Sequence, residues 1–328
     1  MLFFSKENFA FLPTPLHRLP RLSALSGCEL YIKRDDQTGL ATGGNKTRKL
    51  EYLIAEALHK GYDTVITAGA RQSNHCRQTV AAAAQKGLEC HLWLNGAEPE
   101  VYQGNLLLSH LLGAHLHFSG EKIKAREEAL LHLQEALNQQ GKKTYLIPVG
   151  GSNMTGALGY VDAMAELKKQ LQEMNWFPDY IFFATSSGGT QAGMHIGKVL
   201  FEVPGRLMPV LIDKEEDFDK APEDKIFDII KNYNKVSDAP VEISKTDIFI
   251  IKDYNKASYG ELTENEQTAI KILAENEGIL LDPVYTGRAF YGMWDMIQKQ
   301  RIPAGSKVLF WHTGGIPALF AYAAELGK

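Results

Sequence analysis

The sequence predicts an α/β protein with two open parallel sheets, each covered by helices on both faces. Short apolar runs that end in glycine recur along the chain, segments with apolar residues at helical spacing separate them, and this alternation occurs in two successive series. Strands that alternate with helices in this way form parallel sheets buried on both faces. Two such units would form a cleft, and ligands of these sheets bind beyond the carboxyl ends of the strands.

The first series lies between residues 47 and 151. Its apolar runs, rich in Val, Ile, Leu and aromatic residues, predict strands over 63–70, 90–96, 115–120 and 144–151. The segments around them carry apolar residues at three- and four-residue intervals and predict helices over 47–61, 78–87, 104–114 and 125–143. This order is typical of a βα repeat.

The second series fills the rest of the chain. It predicts strands over 179–189, 206–213, 247–254, 278–283 and 307–315, with a helix over 264–278 among the intervening segments. The acidic stretch from Lys214 to Lys245 could be a linker, but Ile226, Ile229 and Ile230 recur within it at helical spacing. We therefore predict a solvated helix over this stretch.

Composition and charge favour a small-molecule partner. The chain has 328 residues, of which 45% are hydrophobic and 23% charged, as in ordinary globular proteins. Its net charge of −4 gives no electrostatic reason to bind nucleic acid or an anionic membrane. Residues 1–20 lack the apolar core of a signal peptide, no stretch reaches membrane-spanning length, and the 3 cysteines are too sparse for a disulfide scaffold. We expect a cytoplasmic protein.

Four segments concentrate the residues that can carry chemistry, namely 42–53, 69–80, 185–193 and 312–315. In the third, small residues lie between a predicted strand and a helix that begins near Gln191. Converging backbone N–H groups and the helix N-terminus would suit a phosphate there. A tight turn in which glycine only permits the backbone angles explains the same residues. The loop alone leaves both interpretations open.

The sequence lacks the common nucleotide and zinc motifs. Residues 39–46 read GLATGGNK, in which Asn45 separates the second glycine from the lysine and breaks the nucleotide-binding loop pattern. Residues 186–193 do not give G-x-G-x-x-G, and neither H-E-x-x-H nor C-x-x-C occurs. We therefore predict neither a kinase nor a dinucleotide-dependent dehydrogenase, and no metal site.

Lys46 is the cation of greatest interest. A lysine that begins a helix lies at the positive end of the helix dipole, and burial would remove its hydration, so both effects lower its pKa and favour a nucleophile. A solvated lysine at a helix start is the alternative. Lys49 lies on nearly the same helical face and would reach an anion held nearby. Ser73 and Asn74, between a strand and a helix, would bind a carboxylate or simply cap the helix.

Together, the motifs resemble those of a known family. GGNKTRKLEYL, QSNHCR, SSGGTQAG, LDPVYTGR and HTGG follow in this order across nearly the whole chain. They are similar to the pyridoxal-phosphate enzymes of the tryptophan-synthase β-subunit fold, and within them to the group of 1-aminocyclopropane-1-carboxylate deaminases and D-cysteine desulfhydrases. The resemblance implies pyridoxal 5'-phosphate in the cleft between a larger cofactor-binding domain, residues 1–50 and 163–328, and a smaller α/β domain, residues 51–162.

The resemblance also implies roles for individual residues. Lys46 would hold the cofactor as a Schiff base and, once the substrate displaces it, take the proton from the substrate Cα. Ser73 would lie beside the substrate carboxylate or the reacting carbon. The other implied cofactor contacts are Lys49, Asn74, Ser187, Gly188, Gly189, Thr190, Thr286 and Thr313. The implied substrate contacts are Ser73, Asn74, His75, Tyr259 and Tyr285, of which Tyr285 is also a catalytic candidate.

Two positions favour the desulfhydrase. The deaminases of this group carry glutamate where this chain has Thr286 and leucine where it has Thr313. A glutamate facing the pyridine nitrogen strengthens the electron sink, whereas a neutral hydroxyl favours prompt expulsion of a β leaving group. The alternative is that Thr286 and Thr313 only occupy turns and do not affect the reaction. We therefore expect α,β-elimination of D-cysteine to pyruvate, hydrogen sulfide and ammonia.

Other activities stay open at this point. Deamination of 1-aminocyclopropane-1-carboxylate would release 2-oxobutyrate, and elimination of sulfite from L-cysteate is a third reaction. A non-catalytic two-domain binding protein would retain no cofactor and would carry an export signal. The resemblance implies a homodimer, the commonest closed assembly, and we expect Cys76 to be buried.

Overall fold

A computed structural model of the chain describes residues 5–120 and 126–327. Residues 1–4, and residue 125 at the start of the predicted helix 125–143, lie outside the described residues. The strands are β1 (Leu16–Arg18), β2 (Glu29–Arg34), β3 (Thr64–Ala70), β4 (Glu89–Asn95), β5 (His115–Phe118), β6 (Thr144–Leu146), β7 (Tyr180–Thr185), β8 (Arg206–Leu211) and β9 (Lys307–His312). The helices are α1 (Pro20–Ser26), α2 (Lys46–His59), α3 (Asn74–Gln85), α4 (Gly104–Leu111), α5 (Arg126–Gln139), α6 (Met154–Met174), α7 (Gly189–Leu200), α8 (Pro222–Val236), α9 (Glu264–Glu277), α10 (Thr286–Gln298) and α11 (Ala323–Leu326). No helix of the described ranges is both long and apolar enough to cross a membrane.

The strands form two sheets. The large sheet has the order β1-β2-β9-β7-β8, and the small sheet has the order β5-β4-β3-β6. All neighbouring strands are parallel except β1 and β2, so the predicted α/β class with two parallel sheets is confirmed, with one antiparallel edge strand added. The sequence motifs did not predict β2, because Lys33 interrupts its apolar pattern. In the structure Lys33 is buried in an ion pair with Glu166.

Residues of the large sheet alternate between its two faces. Phe182 and Phe310 pack against α1, α9 and α10, whereas Ile181 and Leu309 pack against α6 and α7. In the small sheet, α2, α3 and α4 cover one face and α5 covers the other. Both sheets are therefore buried on both faces, which explains why their strands read as continuous apolar runs.

The predicted strands over 247–254 and 278–283 are wrong. Residues 247–254 follow the outer edge of β8 and share with it a single isolated bridge, between Val210 and Ile251. Residues 278–283 reach the end of β9, where His312 Nε2 lies 2.8 Å from the Leu280 carbonyl oxygen, and then continue towards α10. Each run places some of its apolar residues, such as Ile251 and Leu281, in the core, and burial alone does not distinguish a strand from an irregular segment.

The acidic stretch is helical over only part of its length. α8 buries the predicted stripe of Ile226, Ile229 and Ile230. The helix is therefore real, but it is shorter than the predicted span of 214–245. Pro222 occupies its first position, where the missing backbone N–H costs nothing. The residues before Pro222 form only a single 3-10 turn.

The carboxyl ends of strands from both sheets meet at the start of α2. The Asn45 N–H donates to the Thr313 carbonyl oxygen, just beyond β9, at 2.9 Å. The Asn45 side-chain amide donates to Thr190 Oγ1, just beyond β7, at 3.2 Å. Lys49 Nζ donates to the Gly150 carbonyl oxygen, beyond β6, at 3.0 Å. The first turn of α2 is thus held between the two sheets.

Candidate active site

The loop that leads into Lys46 has a backbone conformation that few residues adopt. Ala41, Thr42, Gly43 and Gly44 have φ angles of 42°, 73°, 73° and 130°. At Gly43 a Cβ atom would lie 2.1 Å from the Asp36 carbonyl oxygen, so only glycine fits. Ala41 and Thr42 are strained in this region and require support from the surrounding structure.

Arg77 of α3 supplies that support. Its buried guanidinium donates to the carbonyl oxygens of Ala41 and Gly43, to Thr42 Oγ1 at 2.7 Å and to Asn105 Oδ1 at 2.6 Å. In the described part of the chain no carboxylate pairs with Arg77, and burial lowers its pKa to about 9. Arg77 therefore fastens the strained loop by its hydrogen bonds and so fixes the position of the first turn of α2.

Lys46 and Lys49 bring two amines together. Burial is the largest effect on Lys46 and lowers its pKa to about 8, while nearby Asp213 acts in the opposite direction. Burial and the charge of Lys46 lower the pKa of Lys49 well below its usual value. Lys49 Nζ donates to the Gly150 carbonyl oxygen and lies 3.4 Å from Ser152 Oγ, and no described carboxylate pairs with it. A buried amine without an anionic partner is poised to bind an anion.

The N-terminus of α7 forms a cradle for that anion. Gly188 is left-handed with a φ of 86°, and the N–H of Gly189 lies 3.2 Å from Ser152 Oγ. A Cβ atom on Gly189 would lie 2.7 Å from Ser152 Oγ and 3.0 Å from Lys49 Nζ, so a side chain there would fill the cradle. Ser187 Oγ contacts the same hydroxyl at 2.7 Å. Backbone N–H groups, hydroxyls and an amine thus converge as a phosphate requires.

Ser73 and Asn74 begin α3 at the carboxyl end of β3. Ser73 Oγ accepts a hydrogen bond from the Cys76 N–H at 3.2 Å, so Ser73 does cap the helix. Asn74 Oδ1 accepts a hydrogen bond from Asn105 Nδ2 at 3.0 Å, which orients its amide. Cys76 is buried as expected, and burial raises its pKa to about 11, so it is unreactive at neutral pH.

His75 lies in the interior, close to the two amines. Its Nε2 lies 2.8 Å from Thr67 Oγ1, and that hydroxyl donates its proton to the Ile147 carbonyl oxygen. His75 Nε2 therefore carries the hydrogen, and Nδ1 is an acceptor without a described partner. Burial and the charges of Lys46 and Lys49 lower the pKa of His75 well below its usual value. The ring is thus neutral and adds no third positive charge.

Tyr259 and Tyr285 form a hydroxyl pair that shares a neighbour with Lys46. Their hydroxyl oxygens are 2.8 Å apart and their rings meet edge to face. Asp213, just beyond β8, lies within electrostatic reach of both tyrosines and of Lys46. Burial raises the pKa of Asp213 to about 6, and its buried Oδ2 has no hydrogen-bond partner among the described residues. The sequence motifs miss Asp213, although a carboxylate directly after a buried strand is a detectable signal.

Thr286 and Thr313 are both buried. Thr286 Oγ1 donates to Asp282 Oδ1 at 2.7 Å and accepts from the Asp282 N–H at 2.8 Å. Asp282 also accepts the Tyr285 N–H at 2.9 Å and so caps the start of α10, a role that the motifs do not reveal. Thr313 is fixed through its carbonyl by Asn45. Both residues therefore offer neutral hydroxyl groups, and the hydroxyl of Thr286 is hydrogen-bonded to Asp282 within its own turn.

The predicted residues fall into three groups around the start of α2. These are the candidate phosphate cradle of Lys49, Ser187, Gly188, Gly189 and Thr190, the start of α3 with Ser73, Asn74 and His75, and the group of Tyr259, Tyr285, Thr286 and Thr313. Asn45, Gly150 and Ser152 also belong to the cradle and were not predicted. A detectable signal for Gly150 and Ser152 is the run GGSN, a further glycine-rich turn that follows a strand.

Comparison with known proteins agrees with this geometry. Residues 8–314 match the family of pyridoxal-phosphate dependent enzymes. The chain belongs to this family. A D-cysteine desulfhydrase of Klebsiella pneumoniae (strain 342) is 42% identical over 319 residues, which cover 96% of this chain and 95% of that protein. A Pyrococcus abyssi protein provisionally named 1-aminocyclopropane-1-carboxylate deaminase is 40% identical over 318 residues, which cover 95% of this chain and 92% of that protein.

Solved structures of pyridoxal-phosphate dependent enzymes share the fold. The crystal structure of an ACC deaminase homologue matches with a TM-score of 0.89 and 38% identity, covering 99% of this chain and 96% of that chain. Diaminopropionate ammonia lyase of Escherichia coli, at 16% identity, matches with a TM-score of 0.68 over 97% of this chain and 87% of its own, which supports the fold alone. The predicted tryptophan-synthase β-like architecture is confirmed.

The site fits pyridoxal phosphate, the cofactor of this family. The buried amine of Lys49 has no anionic partner among the described residues, and the α7 cradle is open only because residue 189 is glycine. A phosphate would supply the missing charge there. The amine of Lys46 lies beside Lys49 and has the lowered pKa that reaction with an aldehyde requires.

Proposed function

We propose that this enzyme catalyses α,β-elimination of D-cysteine to pyruvate, hydrogen sulfide and ammonia. The observation that carries the proposal is an amine of lowered pKa, Lys46, beside a phosphate cradle, in a chain 42% identical to a D-cysteine desulfhydrase over nearly its whole length. When bound, pyridoxal phosphate withdraws electrons from the substrate Cα.

Three parts of the chain would hold the cofactor. Lys46 would be its covalent attachment point, because its amine loses a proton more readily than an ordinary lysine. Lys49 with Ser187, Gly188, Gly189 and Thr190 would bind the phosphate. Asn74 would contact the ring oxygen, while Thr286 and Thr313 would lie near the ring. The neutral Thr286 supports elimination, since it gives the ring nitrogen no carboxylate partner.

Substrate binding would place the reacting atoms between α2, α3 and the tyrosine pair. Ser73 and the first N–H groups of α3 would bind the substrate carboxylate, as the open N-terminus of a helix can. His75 would complete this wall of the pocket. Lys46 Nζ, once free, would take the proton from Cα. Burial raises the pKa of Tyr285 well above its usual value, so its hydroxyl stays protonated and can donate a hydrogen bond to the departing sulfur.

Deamination of 1-aminocyclopropane-1-carboxylate is the second candidate. It is favoured by the 40% identity to the Pyrococcus abyssi protein and by the match to the ACC deaminase homologue with a TM-score of 0.89. The products separate the two reactions, because the cyclopropane acid gives 2-oxobutyrate and D-cysteine gives pyruvate with hydrogen sulfide.

The enzyme would act as a cytoplasmic homodimer of two-domain subunits. The strands of the small sheet all lie within residues 51–162 and those of the large sheet lie within 1–50 and 163–328, which supports this division into domains. A homodimer is the commonest closed assembly of identical subunits. Light scattering of the purified protein would test the dimer.

The test of the proposed function is a substrate panel. Purified enzyme is incubated with D-cysteine, L-cysteine, L-cysteate and 1-aminocyclopropane-1-carboxylate, and pyruvate, 2-oxobutyrate and sulfide are measured. We expect pyruvate and sulfide from D-cysteine alone, and Lys46→Ala should lose this turnover by several orders of magnitude. Lys60→Ala is the matched control, because it replaces an exposed lysine directly after α2. Undiminished turnover in Lys46→Ala, or 2-oxobutyrate as the main product, would refute the assignment.

A further inference from the structure

Three histidines and a glutamate cluster at the start of two strands of the small sheet. Glu89 and His91 belong to β4, while His115 and His117 belong to β5. The strands are parallel, and His91 lies opposite His115. Alternate residues of a strand share a face, so the four side chains lie on one face of the sheet. The cluster is at the amino ends of these strands, whereas the catalytic residues follow carboxyl ends.

Three atoms of the cluster converge on one point. Glu89 Oε1 lies 3.3 Å from His91 Nε2 and 3.1 Å from His115 Nε2, and the three side chains offer ligand atoms that all lie within 4.8 Å of one another. Zinc binds imidazole nitrogen and carboxylate oxygen at about 2.0–2.2 Å in tetrahedral geometry, which separates ligand atoms by roughly 3.3–3.6 Å. The cluster therefore approaches the spacing of three corners of a tetrahedron.

The second polar atoms of His91 and Glu89 are already held. His91 Nδ1 lies 3.0 Å from His117 Nε2, and Lys142 pairs with the second oxygen of Glu89. The rings of His91 and His115 stack with centroids 4.5 Å apart, which limits their rotation. Metal-binding histidines usually have their second ring nitrogen held in this way, because it fixes the ring and its tautomer.

We propose that Glu89, His91 and His115 form a binding site for a divalent transition metal ion such as Zn²⁺. The fourth coordination position is open to solvent, because the His115 side chain is 53% exposed. His117 positions His91, and Lys142 positions Glu89. The ligands come from two separate strands, so no short motif reveals them in the sequence.

A metal at this site would join β5 to β4 through their side chains. β5 has only four residues and lies at the edge of the small sheet. Among the described strands its backbone pairs only with β4, so a shared metal would add a second connection. Because the metal would bind the folded protein and not the unfolded chain, the free energy of unfolding should rise with the logarithm of the metal concentration.

The experiment uses the full chain with its cofactor bound. The protein is dialysed against a chelator and titrated with ZnCl₂ by calorimetry, and thermal unfolding is followed with and without the metal. We expect saturation at one Zn²⁺ for each chain and a rise in the unfolding temperature on the order of a few degrees. The cobalt-substituted protein should show the intense visible absorption of tetrahedral coordination.

Variants assign the ligands. His115→Ala and Glu89→Gln should each weaken Zn²⁺ binding at least tenfold, and His117→Ala should weaken it about tenfold through His91. His132→Ala changes an exposed histidine of α5 and should leave binding unaltered. Turnover should be unchanged in all four, since none touches the catalytic groups. Titrations that do not saturate, or unchanged affinity in both His115→Ala and Glu89→Gln, would overturn the proposal.

Discussion

At the residue scale, the reactivity of the site depends on how little negative charge lies near the amines of Lys46 and Lys49. Lys46 and Lys49 share a buried volume, His75 is neutral, and Asp213 is the acid that acts on Lys46. Burial lowers the pKa of Lys46 to about 8, and the carboxylate of Asp213 partly opposes this shift. The pKa of Lys46 is therefore set mainly by burial, which a hydrogen bond with Lys49 and the carboxylate of Asp213 partly oppose.

Replacement of Asp213 by asparagine should leave more of the Lys46 amine unprotonated, and so able to react, at lower pH. Asp213→Asn keeps the size of the side chain but removes the charge that raises the pKa of Lys46, so this pKa should fall further below about 8. The rate at which cofactor-free protein takes up pyridoxal phosphate, measured against pH, reports this pKa, because only the unprotonated amine reacts. The midpoint should move to lower pH.

Asp217→Asn is the control for this experiment. Asp217 is exposed and acts on Asp213, but it is not among the groups that shift the pKa of Lys46. In Asp217→Asn, the pH midpoint of the rate of cofactor uptake should stay close to that of the parent protein. An unaltered or higher midpoint in Asp213→Asn would show that the carboxylate does not act on Lys46.

At the element scale, two helix starts define the site. α7 begins at Gly189, where the absence of a side chain leaves room between Ser152 and Lys49. α2 begins at Lys46, after a loop of left-handed backbone that Arg77 holds in place. The start of α7 therefore depends on Gly189, which leaves room for a ligand. The start of α2 depends on Arg77, which holds the loop before it.

Gly189→Ala should weaken cofactor binding without unfolding the protein. The added methyl group would enter the cradle at 2.7 Å from Ser152 Oγ and 3.0 Å from Lys49 Nζ, and a phosphate would then clash with it. We expect the dissociation constant for pyridoxal phosphate, from fluorescence titration, to rise at least tenfold, about 1.4 kcal/mol. The cofactor-free protein should still fold but unfold at a somewhat lower temperature, because the methyl group would also lie 2.8 Å from the Ser152 Cα atom and the backbone there must shift. Unchanged affinity would contradict the position of the cradle.

Arg77→Lys should destabilise the loop before α2. A single ammonium cannot reproduce the hydrogen bonds to Ala41, Thr42 and Gly43, so the strained backbone loses its support. The free energy of unfolding in urea should fall by about 2–3 kcal/mol. Arg301→Lys, which alters an exposed ion pair with Asp253, should change it by less than about 1 kcal/mol. Equal effects of the two substitutions would argue against the proposed role of Arg77.

The elements that hold the site were only partly predictable from sequence. The strands β3 to β9 were found because parallel strands buried on both faces read as apolar runs, and the start of α2 was found from Lys46 and its neighbouring glycines. β2 escaped prediction because Lys33 is buried only through a partner far along the chain, Glu166. Ser152 and Asp213 each follow a strand, which is a detectable signal, but only the three-dimensional contacts with Lys49 and Lys46 show that they belong to the site.

At the scale of the whole molecule, a buried ionic cluster ties three elements together. Arg48 of α2 donates to both oxygens of Asp35, which follows β2, and to Glu166 of α6. Tyr160 donates to Asp35 Oδ2 at 2.7 Å, and Lys33 pairs with Glu166. α2 also packs in the core of the small sheet, so the cluster links the large sheet to the helix that carries Lys46.

Asp35→Asn should destabilise the protein at neutral pH and much less in acid. Burial acts to raise the pKa of Asp35, but Arg48 outweighs it, and the pKa falls from 3.8 to about 2. A depressed pKa in the folded state means that the stabilisation is present above about pH 4 and is lost as pH falls towards 2. At pH 7 we expect a loss of about 3–5 kcal/mol, because Arg48 and Lys33 would remain buried without this partner.

Urea unfolding at a series of pH values measures this effect. The difference between the parent protein and Asp35→Asn should be constant near neutrality and should narrow as the solution is acidified. Asp253→Asn, at an exposed ion pair, serves as the comparison and should differ from the parent by less than about 1 kcal/mol throughout. A difference that is independent of pH would mean that the charge of Asp35 is not what stabilises the cluster.

The segment 247–254, which lies beside β8 without forming a strand, affects how copies of the chain meet one another. An unprotected strand at a sheet border can recruit a strand from another molecule and start aggregation. The other sheet borders, β1, β5 and β6, have three or four residues, whereas β8 has six. Pro209 lacks a backbone donor and its carbonyl accepts the Ile251 N–H, while the Leu211 N–H donates back to Ile251. The end of the longest described border is thus already occupied, so we expect it to pair less readily with a strand from another molecule.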